Sequence, residues 1–272
     1  MPRFSQIAVQ STNRVKIITL NRPDKRNALG LEMIQELLEA LGEAASCGCG
    51  VVILTGAGSA FSLGIDLEQL RTLDTRPAEE HRLHSEKMAL LLRTLHDFPK
   101  PVIAAVNGPA IADGMSLATI PDFTLAVPEA KFGWNEVRIG IAPALAAPFL
   151  LRQIGEKRTR ALLLTGRMLK PQEALEIGLV TEIVAAEELM QSAQALAQML
   201  LLNSPQAMRA VKQLLARSAC RRLDEELEDA IAVNAQQQLT EDCKVGVRAF
   251  LEKRRAEWPG LNLLRMDLKV QK

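Results

Sequence analysis

The stretch "KPVIAAVNGPAIADGMSLATIPDFTLAVPEAKFG", Lys100 to Gly133, decides the fold. Its opening apolar run closes on Asn-Gly, the pattern of a short strand buried on both faces. A glycine-bearing turn follows, then an apolar helix that starts around Asp113 and Gly114 and stops before Pro121. "DFTLAVPEAKFG" is a second strand, ending in a Pro-Glu-Ala turn. Working outward, the same alternation recurs. Residues 5–21, "SQIAVQSTNRVKIITLN", read as a hairpin. "LEMIQELLEALGEAAS" carries apolar residues at helical spacing, and "VVILTGAG" is a buried strand closed by a glycine turn. Segment 78–97 predicts an amphipathic helix with Leu83, Met88, Leu91, Leu92 and Leu95 on one face. No fixed repeat is present, so the pattern is α/β layering rather than an array. Strand signals cease near residue 185. The expected division is a core over 1–195 and a helical region over 196–272.

Composition removes several function classes. The chain has 272 residues and is 48% hydrophobic, ample for a large core. Lys+Arg 33 against Asp+Glu 32 leaves a net charge of +1, so no broad electrostatic footprint for nucleic acid or an anionic membrane exists. The start lacks the apolar run of a signal peptide, and no segment reaches the roughly 18 apolar residues of a membrane span. A cytoplasmic protein is expected. Cys47 and Cys49 in "SCGCG" read as reduced thiols. The absence of tyrosine removes any phenolic acid or oxyanion donor.

Common catalytic motifs fail. In "TGAGSAFSLG", Gly56 and Gly58 match a dinucleotide fingerprint, but Phe61 holds the last glycine position. There is no Walker motif, no G-x-S-x-G and no H-E-x-x-H. His81 and His84 stand three apart on a polar helix without a third ligand, which predicts solvated surface and no metal site. Two loop-to-helix junctions remain, "SLGIDLEQL" and "IADGMSLA". Asp66 is placed to cap the first helix with Gln69 three residues on, leaving the amides of Gly64 and Ile65 free. Two such amides converging on one oxygen make an oxyanion hole.

Six segments occur in an order that resembles the crotonase (enoyl-CoA hydratase/isomerase) superfamily: "ITLNRPDKRNAL", "VVILTGAGSAFSLGIDL", "PKPVIAAVNGPAIADGMSLA", "AKFGWNEVRIGIAP", "LLLTGRMLKPQEALEIGLV" and "GVRAFLEKR". The resemblance covers almost the whole chain. It implies a spiral of ββα units, a helical C-terminal trimerisation region, and acyl-CoA thioester substrates whose enolate is held by two backbone amides. Those amides fall on Ile65 and Asp113, with Gly64 and Gly114 beside them. The Asp113 carboxylate, where the family commonly has glycine, is expected to cap the helix beginning at Gly114, with proton transfer as its alternative use.

In two-carboxylate hydratases of the family, one glutamate lies on that helix and one in the F-G-x-x-E segment. Here those positions are Ser116 and Glu136. Serine does not exchange protons near neutral pH as a carboxyl does. The proton work is therefore expected of Glu136, with Ser116 orienting water. The resemblance leaves three activities open: enoyl-CoA hydration, β,γ to α,β isomerisation, and acyl-CoA binding without turnover. Toward coenzyme A it implies Lys25 or Arg26 at phosphates, Ala28 along the pantetheine path, Leu63 beside the adenine or the pantetheine, and Phe250 and Lys253 from the C-terminal region. "APALAAPF" replaces a glycine-rich loop and predicts a narrowed acyl pocket. No metal or redox cofactor is implied. A homotrimer or dimer of trimers is expected.

Overall fold

The computed structural model describes residues 3–64, 66, 78–139 and 141–218, together with Val245, Ala249, Glu252, Arg254 and Glu257. Two compact units divide it, Met1–Ala197 and Gln198–Lys272.

In the first unit, β1 (Ile7–Thr12) and β2 (Val15–Leu20) form an antiparallel hairpin closed by Thr12 opposite Val15. The two residues between them, Asn13 and Arg14, take φ of 49° and 65°. A two-residue hairpin needs left-handed backbone there to match strand twist, and asparagine tolerates it well. From β2 the sheet continues in parallel through β3 (Val51–Gly56), β4 (Val102–Val106), β6 (Phe123–Ala126) and β8 (Glu182–Ile183). β4 is buried along its whole length, as its unbroken apolar run requires.

Helix α1 (Leu31–Ser46) buries Met33, Ile34, Leu37, Ala40, Leu41 and Ala44 and packs on β1, β2 and the helix over Ala78–His96. Each fully buried Leu or Ile here contributes roughly 1.5–3 kcal/mol of transfer free energy. Its far end leads to Cys47 and Cys49, both free thiols. Helix α2 (Ala78–His96) buries Met88, Leu91, Leu92 and Leu95, but Leu83 is 45% exposed. Stepping back from Leu95 by threes and fours reaches 92, 91, 88 and then 84, so His84 rather than Leu83 lies on the inner stripe. Both expectations for that turn are thereby corrected: Leu83 faces solvent, and His84 is half-buried with Nε2 3.3 Å from the Leu29 carbonyl oxygen.

A second, small sheet pairs β5 (Ala110–Ile111) with β7 (Phe132–Gly133) in parallel. Bridges from Ser62 to Ala110 and from Phe132 to Leu169 extend it on both sides. Helix α3 (Asp113–Thr119) leaves β5 and packs on β4, β5, β6 and α2. A 3-10 turn, Glu136–Ile139, follows β7. Helices α4 (Ala147–Thr165), broken at Gly155, and α5 (Pro171–Glu176) lead to β8, and α6 (Leu189–Leu200) follows. In the second unit the described helix is α7 (Pro205–Ser218). Among the described residues, no helix is long and apolar enough to cross a membrane.

Candidate active site

The site is assembled on Asn27, which sequence reasoning passed over. It is fully buried at φ 55°. Its Nδ2 donates to the carbonyls of Ala57 (2.9 Å) and Ala60 (2.8 Å), and its Oδ1 accepts the Arg22 amide at 2.9 Å. The signal was available: a lone Asn within "PDKRNAL" is a residue that adopts left-handed backbone and satisfies neighbouring peptides. Asn27 thereby ties the 22–29 turn to the loop after β3. Leu63 N donates to Arg26 O at 3.2 Å and Leu29 N to Gly64 O at 2.7 Å. Lys25, Arg26, Ala28, Leu63 and Gly64 are thus brought together, Arg26 exposed, Lys25 half-buried and Ala28 buried.

Gly64 cannot be another residue. It sits at φ +75°, and a Cβ there would lie 2.8 Å from both Ala112 Cβ and Ile111 O, and 3.0 Å from Asp113 N. The loop therefore passes directly against the start of α3. Gly114 plays the same part from the other side, since its Cβ would meet Ser62 O at 2.3 Å. The expectation of a free Gly64 amide is corrected: it donates to Ser62 Oγ at 3.2 Å, while that hydroxyl donates to Asn27 O at 2.8 Å. A serine two residues earlier offers an acceptor that a spacing argument for helix starts overlooks. Asp66 accepts from Arg22 Nη1 at 3.3 Å and is buried; its proposed box partner Gln69 lies outside the described residues, as does Ile65.

The expected capping role of Asp113 is also overturned. The N-cap position is Ala112, at φ 55° and ψ −130°, and Asp113 is the first helical residue. Ala112 N is anchored to Gly133 O at 2.8 Å, so the chain turns sharply there and enters the helix one residue early. Holding a non-glycine residue in such a conformation costs on the order of 1–3 kcal/mol and is common at functional sites. As a first-turn residue, Asp113 has an N–H without an intrahelical acceptor. Its half-buried carboxyl is pushed above the usual range by burial, and the His84 ring pulls it back.

Glu136 stands at the start of the 3-10 turn, three residues past the Ala112–Gly133 rung. It is 9% exposed, and among the described residues its Oε2 has no hydrogen-bond partner. Burial raises its pKa to about 7; its own backbone amide opposes that rise and the Asp113 charge adds to it. A carboxyl with that value is suited to exchanging protons at neutral pH. Ser116 is 1% exposed and its Oγ accepts the Trp134 indole N–H at 3.0 Å. Its hydroxyl is thus engaged beneath a buried indole. Phe250 and Lys253 lie outside the described residues.

A family model described as Enoyl-CoA hydratase/isomerase matches residues 10–261. A Thermus thermophilus protein bearing a provisional enoyl-CoA hydratase name is 41% identical over 241 residues, covering 88% of this chain and 95% of that one. The short-chain-enoyl-CoA hydratase of Clostridium acetobutylicum is 33% identical over 93% of this chain and 97% of its own. Among solved structures, an enoyl-CoA hydratase from Bacillus anthracis superposes with a TM-score of 0.89 at 32% identity, covering 94% of this chain and 100% of that one. The two-sheet architecture is therefore the crotonase fold. With residues 10–261 matched by the family model and relatives matched over most of both chains, the chain belongs to the enoyl-CoA hydratase/isomerase family of enzymes.

Proposed function

We propose that the protein adds water to the double bond of an enoyl-CoA thioester. The observation that carries this reading is Glu136, a buried carboxyl whose Oε2 has no hydrogen-bond partner among the described residues and whose pKa is raised by burial to about 7, with the Asp113 charge at the start of α3 adding to that rise. The amides of Ile65 and Asp113 hold the thioester oxygen and stabilise the enolate that forms when water attacks the β-carbon. Glu136 takes the proton of that water. Lys25 or Arg26 meets phosphates of coenzyme A, Ala28 and Leu63 border the pantetheine, and Phe250 and Lys253 reach it from the C-terminal region. The bulk of "APALAAPF" favours a short or branched acyl chain. Residues 196–272 are read as the oligomerisation region of a homotrimer or a dimer of trimers, acting in the cytoplasm. Relatives named short-chain-enoyl-CoA hydratase and 2,3-dehydroadipyl-CoA hydratase support the hydration reading over isomerisation.

The test is turnover of crotonyl-CoA and a β,γ-enoyl-CoA in ¹⁸O-labelled water, followed by mass spectrometry for wild type and Glu136→Gln. Label incorporation into the product of wild type, lost in the variant, supports hydration. Double-bond migration without label makes the enzyme an isomerase, and binding of both esters without turnover makes it an acyl-CoA-binding protein.

A further inference from the structure

Three segments meet at the end of the large sheet where its parallel strands begin. The hairpin turn Asn13–Arg14 leads into β2, residues 47–50 link α1 to β3, and Lys100 precedes β4. Gly50 N donates to Arg14 O at 2.7 Å and Val52 N to Pro101 O at 3.0 Å, which ties the three together. The candidate active site is built at the opposite ends of these strands, and the 6 residues of β3 span about 17 Å. Here two thiols face each other. Cys47 is exposed and Cys49 half-buried, with their sulfurs 2.9 Å apart. Cys49 N–H donates to Cys47 Sγ at 3.4 Å, a bond that strengthens when the sulfur is charged. Ala44 O lies 3.3 Å from Cys49 Sγ and 3.6 Å from Cys47 Sγ, so Cys49 is the better placed to keep its proton. Lys100 spans the loop, donating to Ala44 O at 2.7 Å and Cys47 O at 2.8 Å, with Nζ 4.0 Å from Cys49 Sγ. Lys16 adds a second cation, paired with Glu43 at 3.4 Å. Arg14 is a third: its charge acts on Cys49, and its buried Nε has no hydrogen-bond partner among the described residues. Burial alone would raise the Cys47 thiol, but hydrogen bonds from Cys49 and the charges of Lys100 and Lys16 outweigh it and bring the thiol below its ordinary value. Burial, with the Cys47 contact, pushes Cys49 up to about 11.

We propose that Cys47, Gly48 and Cys49 form a thiol modification site that reduces hydroperoxides, Cys47 attacking the peroxide and Cys49 closing a disulfide. Accessible thiolates beside a second cysteine are the ones that oxidise in this way. The Cys47 thiolate attacks one peroxide oxygen: an S–O bond forms and the O–O bond breaks. The departing hydroxide takes up the proton that Cys47 gave to solvent and leaves as water. Cys47 is then a sulfenic acid. The Cys49 sulfur attacks it, the S–S bond forms, the S–O bond breaks, and the second hydroxide leaves as water with the proton of the Cys49 thiol. Two thiols have lost two electrons and two protons, and hydrogen peroxide has become two waters. A disulfide across a single residue closes a small, strained ring, so thiols reduce it again readily. Glycine between the cysteines eases the closure, since it has no Cβ and the widest choice of backbone angles. The role is independent of the reaction at the acyl-CoA site.

The experiment uses the full chain with Cys220→Ser and Cys243→Ser, which leaves Cys47 and Cys49 as its cysteines, and in parallel the chain with all four. Each is reduced, freed of reductant, treated with hydrogen peroxide and digested with trypsin under non-reducing conditions. The peptide Asn27–Arg71 holds both cysteines. It is expected to lose the mass of two hydrogens in both chains and to regain it with dithiothreitol. With Cys49→Ser added, dimedone is expected to label Cys47 as the sulfenic acid. With Cys47→Ser added, thiol oxidation is expected to slow by roughly 10-fold or more, because the thiolate is the nucleophile. A peptide that keeps its two hydrogens in both chains overturns the proposal, and so does one that gains oxygen at Cys47 without forming the disulfide. Oxidation as fast with Cys47→Ser as with Cys49→Ser overturns the assignment of the attacking sulfur, and a disulfide found only between two chains overturns the pairing.

Discussion

Glu136→Gln is expected to stabilise the protein, and by an amount that depends on pH. Raising a carboxyl from 4.5 in the unfolded chain to about 7 in the folded one means that the folded state holds its proton more tightly. Below pH 4.5 both states are protonated and the site has no effect on stability. Between 4.5 and about 7 the unfolded chain releases its proton first, so folding stability falls by about 1.4 kcal/mol per pH unit. Above 7 the loss is complete, at about 3 kcal/mol. The side chain is only 9% exposed, so solvent screening reduces this little. Glutamine keeps the shape and has no charge to desolvate, so the variant escapes the loss. Melts of the two proteins are expected to differ by roughly 6–12 °C more at pH 8 than at pH 4.5, taking 2–4 °C per kcal/mol for a body of this size. A difference that stays constant across that range would refute the reasoning, because it would mean that Glu136 does not carry a buried charge.

Gly64→Ala is expected to abolish turnover and lower the melting temperature, since its methyl group meets Ala112 Cβ and Ile111 O at 2.8 Å in a backbone conformation alanine resists. Asn27→Ala removes three hydrogen bonds, two of which join the 22–29 turn to the loop after β3, costing roughly 2–4 kcal/mol in denaturant titrations. Because those loops align Ala28 and Leu63, KM for acyl-CoA is also expected to rise. Trp134→Phe strips the indole donor from buried Ser116, with an expected cost of about 1–3 kcal/mol in a thermal melt.

The layered core was legible because its signals are local. α1 runs over the residues its apolar spacing predicts, and β3 and β4 occupy their apolar runs. What escaped depended on contacts between distant segments. Asp113 reads as a cap because Asp is favoured at caps, but the bond from Ala112 to Gly133, twenty-one residues away, starts the helix earlier. The Gly64 amide reads as free until Ser62 is seen to accept it. His84 reads as surface because a histidine on a polar helix usually is; the apolar stripe counted back from Leu95 places it inward. Glu136 was reached through family resemblance, and its desolvation is a property of the folded surroundings that its neighbours in sequence do not announce.

The small sheet that carries the site has a consequence for synthesis. Ser62, Ala110, Phe132 and Leu169 lie side by side in it, although each comes from a separate stretch of the chain. The ribosome delivers them in that order, and the Leu169–Phe132 pair, bonded in both directions at 2.7 and 3.1 Å, is the last to become available. A nascent chain halted short of Leu169 already contains Asp113 and Glu136, yet the strand leading to the glutamate still has an open edge. Long-range pairings of this kind are slow to close and expose strand edges while they wait. The small sheet that carries the candidate site is thus completed late, after most of the large sheet's residues have left the ribosome.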